Sequence, residues 1–172
     1  MMKYWPAFLL VGFTVLLRFL PHPPNFSPVL GLALFSGCTF SNRRVAYFLP
    51  LSALLISDFF LGFYDGMILV YLSYALTIGL GALASRRKLA VGAAAGTGVV
   101  LSSVVFFMLS NLSVWLYSGM YPKSWAGLVD CYVMGLPFFP NTLISTAICV
   151  AVLLGVYAKI APRVEDRRVL ST

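Results

Sequence analysis

Two ionisable side chains interrupt hydrophobic stretches of this sequence, and their types could support ion pairing or ligand binding. Arg18 lies near the end of the first stretch and Asp58 near the end of the third. A charge inside the hydrocarbon of a bilayer costs ~3 kcal/mol or more, so such residues usually face the interior of a helix bundle and find partners there. We therefore predict that Arg18 pairs with Asp58. The pair is either purely structural or also lines a ligand site.

Further polar and aromatic residues point to the same end of the predicted bundle. Asn111 and Trp115 are one helical turn apart and would present an amide and an indole to one cavity. The alternative is that Asn111 only forms hydrogen bonds between helices. Asn141 is expected to cap the last helix. The candidate substrate-binding residues are Arg18, His22, Asn25, Asp58, Tyr64, Asn111, Trp115, Tyr121, Trp125 and Asn141. For those in loops, ordinary solvated turn chemistry is the alternative.

Several kinds of chemistry have no counterpart in the sequence. Cys38, Cys131 and Cys149 form no C-x-x-C pair, and His22 is the only histidine, so neither a metal site nor a disulfide framework is expected. Neither a nucleotide-binding G-x-x-x-x-G-K-[ST] loop nor a hydrolase G-x-S-x-G elbow occurs. We therefore expect a protein that is not an enzyme and that holds no cofactor. Any energised function would depend on a partner.

Composition and charge place the chain in a membrane. Hydrophobic residues make up 60% of it and charged residues only 10%. Apart from Arg18 and Lys123, the basic residues precede the first hydrophobic stretch or follow the second, fourth and sixth. Basic loops stay cytoplasmic during insertion, which accounts for the net charge of +7 without a nucleic-acid partner. The pattern predicts a multi-pass protein of the inner (plasma) membrane with both termini in the cytoplasm.

The elements that must position the candidate residues are helices, because the apolar residues do not alternate as a membrane barrel requires. We predict an all-α integral membrane protein, one domain over residues 1–172. Its six helices are expected at about residues 4–20, 28–41, 45–63, 67–84, 89–117 and 142–159. Ser27 and Pro28 should start the second helix, which looks short. Gly92 and Gly96 should allow close helix contact in the fifth.

The connection between the fifth and sixth helices contains a segment with helical periodicity, residues 124–136. Its apolar residues fall on one face, with Gly127, Asp130 and Met134 on the other. That apolar face consists of Trp125, Leu128, Val129, Tyr132, Val133 and Leu136. Ser124 should cap this helix, and Pro137 should end it. We expect a short amphipathic helix on the outer surface, either an interfacial anchor or a lid over a pocket.

Three stretches of the chain carry a resemblance to a known family. They read RFLPHPPNFSPVLGLALF, LPLSALLISDFFLGFYDGMILVYLSYAL and FFMLSNLSVWLYSGMYPKSWAGLVDCYVMGLPFFPNTL. They resemble a bacterial family of uncharacterised transport proteins. That family is similar to the S components, the substrate-binding membrane subunits, of energy-coupling factor (ECF) vitamin transporters. The resemblance departs at positions 67–69, where Met, Ile and Leu stand in place of the cysteine of cobalamin-type relatives.

The resemblance implies six helices and a small-molecule ligand held near the outer face. It also implies a cytoplasmic energising module made of a membrane coupling subunit and ATPases. The expected function is thus uptake of a vitamin-like or organometallic nutrient by an S-component-like protein in the lipid bilayer. We expect Asn111, Trp115 and residues 121–132 to enclose the ligand together with Arg18, His22 and Asn25. The alternative is a membrane scaffold or assembly protein that transports nothing.

Overall fold

A computed structural model describes residues 5–86 and 91–169, and every regular element within them is helical. The elements are α1 (Trp5–Phe19), α2 (Pro28–Thr39), α3 (Arg43–Leu61), α4 (Met67–Arg86), α5 (Val91–Tyr117), α6 (Trp125–Gly135), a 3₁₀ turn (Leu136–Phe138) and α7 (Phe139–Val169). Each predicted helix, and the predicted outer segment, corresponds to one of these helices. The predicted starts of the first and fifth helices, residues 4 and 89, lie outside the described residues.

Several helix ends differ from the prediction. Helix α2 ends at Thr39 rather than at residue 41, because Phe40 is already extended. Helix α3 begins at Arg43, where the side chain of Asn42 accepts the amide of Arg44. Helix α7 runs from Phe139 to Val169, although the sequence predicted residues 142–159. Once a long helix is nucleated, each further residue extends it without a second nucleation cost, and this explains the longer α7.

Within the described residues, four helical segments are long and apolar enough to cross a membrane. They are Arg43–Leu61, Met67–Ser85, Gly96–Tyr117 and the stretch Trp125–Tyr157, with a mean hydropathy between 1.5 and 2.0. The last stretch joins α6, the 3₁₀ turn and α7. Helices α1 and α2 are shorter, at 15 and 12 residues. The chain is therefore an all-helical protein with the character of a multi-pass membrane protein.

Helix α2 lies at the centre of the bundle. All of its residues from Val29 to Gly37 are buried, and it contacts α1, α3, α4, α5 and α7. A helix that is apolar on every side is stable only when neighbours surround it, in agreement with the short apolar sequence of α2. Ser27 and Pro28 start it as predicted, with Ser27 Oγ accepting the amide of Val29 at 3.4 Å.

Glycine allows α2 and α4 to approach each other closely. A Cβ built on Gly37 would lie 2.1 Å from the carbonyl oxygen of Ile78, and one on Gly81 would lie 2.6 Å from that of Leu34. The sequence predicted such contact at Gly92 and Gly96 instead. A Cβ on Gly96 meets nothing within 4 Å among the described atoms, and the surroundings of Gly92 lie outside the described side chains. The close contact between helices at these glycines is therefore the one between the central helix α2 and α4.

Three connections meet at one end of the bundle, which we call the loop end: residues 20–27, 62–66 and 118–124. Ser113 Oγ near the end of α5 donates to the carbonyl of Gly66 at 2.8 Å. The Asn141 amide donates to the carbonyl of Pro24 at 3.0 Å, and Thr142 Oγ1 donates to that of Asn25 at 3.3 Å. These bonds tie the loop end together. The predicted helix cap at Asn141 is wrong, because α7 already begins at Phe139 and Asn141 bonds a different loop.

Candidate functional site

The predicted pairing of Arg18 with Asp58 is confirmed. Nη1 of Arg18 lies 2.9 Å from Oδ1 of Asp58, and it also donates to Ser57 Oγ at 2.7 Å. The hydroxyl of Tyr71 donates to the other carboxylate oxygen of Asp58 at 3.0 Å. We call Arg18, Ser57, Asp58 and Tyr71 the charge cluster. It joins α1, α3 and α4 through polar contacts in a bundle that is otherwise largely apolar.

The positions of these residues along their helices bring them together. Arg18 is in the last turn of α1, Asp58 is in the last turn of α3, and Tyr71 follows the first turn of α4. Because α3 and α4 are joined by the short connection 62–66, their neighbouring ends hold Asp58 and Tyr71 at similar depth. The carbonyl of Asp58 also accepts the amide of Gly62, which closes α3. The charge cluster therefore lies just inside the loop end.

Burial makes the charge cluster unusual. Asp58 is 1% exposed, whereas the Arg18 side chain keeps 17% of its surface accessible. A carboxylate removed from water is stable only with a counter-ion and hydrogen bonds, which Arg18 and Tyr71 supply. Ser57 is held in place by donating to the carbonyls of Ala53 and Leu54, at 2.8 Å each. The Asp58 carboxylate is thus sealed inside the bundle, while the Arg18 side chain keeps part of its surface accessible.

Tyr64, in the connection between α3 and α4, lies within the electrostatic influence of Asp58 and Arg18. It is 44% exposed. Partial burial raises the pKa of its phenol to about 12, and the negative charge of Asp58 acts in the same direction. A phenol is already neutral at physiological pH, and the raised pKa keeps Tyr64 a neutral hydrogen-bonding group further into alkali.

Sequence reasoning missed Ser57 and Tyr71, although both bind the predicted pair directly. A signal for Tyr71 was available. It lies about one turn from the start of its helix, and Asp58 lies about one turn before the end of the preceding one. Antiparallel helices with a short connection place such positions side by side, so a phenol there can reach the carboxylate.

A second group of candidate residues lies where α5 and α6 touch. The Asn111 amide donates to the carbonyl of Phe107 at 2.8 Å, and its Oδ1 would lie 2.3 Å from a Cβ on Gly135. The Trp115 indole donates to the carbonyl of Pro122 at 2.9 Å. Lys123 bonds the carbonyl of Trp115 and lies over its ring, 5.4 Å from the centroid. These polar groups are therefore used in packing the two helices and the connection 118–124.

The predicted apolar face is not the most deeply buried part of helix α6. Its buried residues are Gly127, Cys131 and Gly135, whereas the predicted apolar face includes Trp125, which is 79% exposed. Val129, Val133 and Leu136 of that face are exposed as well. Small residues let two helix backbones approach closely, and bulky apolar residues lose little by facing lipid, which is equally apolar. Much of the predicted apolar face is therefore exposed, and whether the segment serves as an interfacial anchor or as a lid stays a prediction.

The course of α6 also differs from a helix lying on the outer surface. Cys131 Sγ donates to the carbonyl of Asn111 at 3.3 Å, and the Tyr132 hydroxyl donates to that of Met108 at 2.7 Å. The ring of Phe107 contacts both Tyr132 and Phe139. Residues later in this segment contact residues earlier in α5: Cys131 bonds Asn111, whereas Tyr132 bonds Met108. Helix α6 thus runs antiparallel to the last turns of α5 and leads directly into α7.

The remaining candidates lie in or beside the connections of the loop end. His22 is exposed, with Nδ1 3.1 Å from the carbonyl oxygen of Pro23. Asn25 is exposed and adopts a positive φ of 61°, a turn conformation that asparagine tolerates. Tyr121 is partly buried in the connection 118–124. Among the contacts of the described residues, none joins Arg18 directly to Asn111 or Trp115. The structure thus divides the candidates between the charge cluster and the α5–α6 contact.

Comparison with known proteins adds one finding to this geometry. Residues 2–167 match a family of unknown function, DUF6580. The chain belongs to this family. No curated protein and no solved structure matches it significantly. Because the function of DUF6580 proteins is not established, the likeness to S components stays a proposal.

The chemistry open to this DUF6580 protein follows from the charge cluster. Within residues 5–86 and 91–169, no three histidine, cysteine, aspartate or glutamate side chains are grouped to hold a metal ion. Asp58 is covered and already accepts two hydrogen bonds, whereas Arg18 and Tyr64 are partly accessible beside it. A covered carboxylate next to partly accessible donors is suited to binding by hydrogen bonds.

Proposed function

We propose that this protein binds a small nutrient molecule at the loop end and takes part in its uptake across the membrane. The observation that carries the proposal is the partly accessible Arg18 side chain paired with the buried carboxylate of Asp58. Ionisable groups inside membrane proteins are costly and commonly mark the sites where substrates or ions bind. A vitamin-like or organometallic nutrient and a protein of S-component type agree with the resemblance in the sequence.

The proposal includes a topology of six membrane spans with both termini in the cytoplasm. Basic residues such as Arg43 and Arg44 lie at the end of the bundle opposite to the loop end, as the positive-inside rule requires of a cytoplasmic side. The loop end then faces outwards in the inner (plasma) membrane. Helices α1 and α2 are short for a span, but α2 is enclosed by its neighbours and does not need to match the bilayer thickness.

Cysteine labelling of intact cells tests this orientation. In a background without Cys38, Cys131 and Cys149, the variant Asp65→Cys should react with a membrane-impermeant thiol reagent. The matched variant Asn42→Cys should react only after the membrane is opened. Both positions are exposed, so protein burial does not limit the reaction. Protection of Asp65→Cys together with labelling of Asn42→Cys in intact cells would contradict the proposed topology.

A cytoplasmic energising module is the partner that the proposal requires, because the sequence contains no nucleotide-binding motif. Such a module would consist of a membrane coupling subunit and ATPases. Co-purification of tagged protein from its native membrane tests this partnership. Recovery of the protein alone, together with uptake that continues when ATPases are inhibited, would favour a protein that works without a module.

Native mass spectrometry of purified protein tests ligand binding. Wild-type protein should carry a bound small molecule that is released on activation in the gas phase. The double variant Arg18→Leu/Asp58→Leu, which removes both charges and leaves none unpaired, should melt like a folded protein and carry no such molecule. A wild-type protein free of any bound molecule would favour the alternative, a membrane scaffold that transports nothing.

A further inference from the structure

We infer that the Nε–Nη2 edge of the Arg18 guanidinium recognises the ligand, and that this ligand is an uncharged molecule with a hydrogen-bond acceptor such as a carbonyl oxygen or a ring nitrogen. The inference rests on the proposed function and adds the chemical class of the substrate. It follows from three observations: the donors that Arg18 leaves unused, the charge balance that Asp58 already provides, and the neutral phenol of Tyr64 nearby.

The first observation concerns the donors of Arg18. A guanidinium carries five N–H groups in a planar fork. Both contacts of Arg18 within the described residues use Nη1, which reaches Asp58 Oδ1 at 2.9 Å and Ser57 Oγ at 2.7 Å. Nε and Nη2 form no hydrogen bond to the described part of the chain, and the side chain is 17% exposed. Donors at the edge of an apolar bundle need a partner, which water or a bound acceptor supplies.

The second observation concerns charge. Asp58 already neutralises Arg18, and it is 1% exposed, so an incoming molecule cannot displace it without opening the bundle. A carboxylate bound to the free edge would add a net negative charge next to a buried one, which a low-dielectric surrounding opposes. An uncharged acceptor receives the same hydrogen bonds without that penalty. The ion pair therefore selects against anions, although its accessible member is a cation.

The third observation concerns Tyr64. Its side chain is 44% exposed, and both Asp58 and Arg18 act on it electrostatically. Its hydroxyl forms no hydrogen bond within residues 5–86 and 91–169. A phenol is neutral at physiological pH, so Tyr64 offers a neutral donor and an aromatic face. An aromatic face and a planar guanidinium are both suited to contact with a flat ring that carries acceptor atoms.

Two probes of nearly equal size, one uncharged and one anionic, test the inference. Nicotinamide is neutral and nicotinate is an anion at neutral pH, and both contain the same pyridine ring. Equilibrium dialysis of radiolabelled probes against detergent-solubilised wild-type protein should give at least about tenfold tighter binding of nicotinamide. Equal affinity, tighter binding of nicotinate, or no binding of either probe overturns the inference.

Two variants separate the charge argument from a general loss of structure. Asp58→Asn leaves Arg18 as an unbalanced cation and should reverse the preference in favour of nicotinate. Arg18→Lys keeps a positive charge beside Asp58 but removes the planar edge, so nicotinamide binding should fall about tenfold. Arg43→Lys, an exposed position at the opposite end of the bundle, is the matched control and should change neither affinity.

Each result bears on the inference separately from the proposed function. A folded Asp58→Asn variant that still prefers nicotinamide contradicts the charge argument. If that variant does not fold, the wild-type ratio of the two affinities decides alone. A co-purified anion in the native mass spectrum supports the proposed function and contradicts the inference. Absence of any co-purified molecule, combined with failure of both probes to bind, contradicts both.

Discussion

Arg18 and Asp58 form an ion pair in which only the acid is sealed from solvent. Nη1 of Arg18 lies 2.9 Å from Oδ1 of Asp58, whose side chain is 2% exposed against 17% for the arginine. A symmetric structural pair would bury both members. The Arg18 side chain is partly accessible, and its Nε and Nη2 have no hydrogen-bond partner among the described residues, which makes this pair the best candidate for a ligand contact in that part of the chain.

The ion pair should show strong coupling when its members are removed. Arg18→Leu leaves the buried Asp58 carboxylate unpaired and should lower the free energy of unfolding by about 3–5 kcal/mol. Asp58→Leu leaves the partly accessible Arg18 unpaired and should also lower it, by a smaller amount. The double variant leaves no charge unpaired, so its loss should be clearly smaller than either single loss. Melting in detergent followed by circular dichroism measures all three. Additive losses would mean that the two side chains do not interact.

The contact between α2 and α4 should depend on the absence of a side chain at Gly37. Gly37→Ala places a Cβ 2.1 Å from the carbonyl oxygen of Ile78, and a backbone atom cannot rotate away. We expect a loss of about 1–3 kcal/mol of stability. Gly155→Ala is the control, because its Cβ meets no atom within 4 Å and alanine favours a helix. Equal melting temperatures for the two variants would show that the helices separate at little cost.

Asn111 and Gly135 should behave as a coupled pair. A Cβ on Gly135 would lie 2.3 Å from Oδ1 of Asn111, so Gly135→Ala should destabilise the protein by about 1–3 kcal/mol. Asn111→Ala removes the obstructing amide, and the double variant should therefore recover part of that loss. The free energies of unfolding of the four proteins give the coupling. If the double variant loses more stability than the two single variants lose together, this packing is contradicted.

Tyr64 should titrate late in alkali. The difference in ultraviolet absorbance between wild type and Tyr64→Phe during a pH titration should place its pKa at about 12 instead of 10. In the unfolded chain this phenol loses its proton at lower pH, so between these values its contribution to stability falls as pH rises.

Charge replacement provides the control for Tyr64. Asp58→Asn removes the negative charge and should lower the pKa of the phenol, although burial, the larger cause, would remain. Arg43→Lys, at the other end of the bundle, should leave it unchanged. A phenol that titrates at its ordinary value in the folded wild-type protein would mean that Tyr64 does not lie near the charge cluster.

The sequence by itself determined the helical class, the approximate bounds of the helices and the pairing of Arg18 with Asp58. These properties depend on the polarity, charge and local hydrogen bonding of individual residues. Apolar content and period set the helices, and Ser27 with Pro28 starts α2 through a local hydrogen bond. The high cost of a charge in an apolar bundle leaves the two intramembrane charges few partners other than each other.

Only the tertiary structure decided which surfaces meet. The period of α6 predicted an apolar face, but only the structure shows that the small residues Gly127, Cys131 and Gly135 are the buried ones. Likewise, the central position of α2 and the bond from Tyr71 to Asp58 depend on neighbours distant in sequence. In a bilayer the hydrophobic effect does not separate inside from outside, so close packing and hydrogen bonds decide, and both require the three-dimensional neighbours.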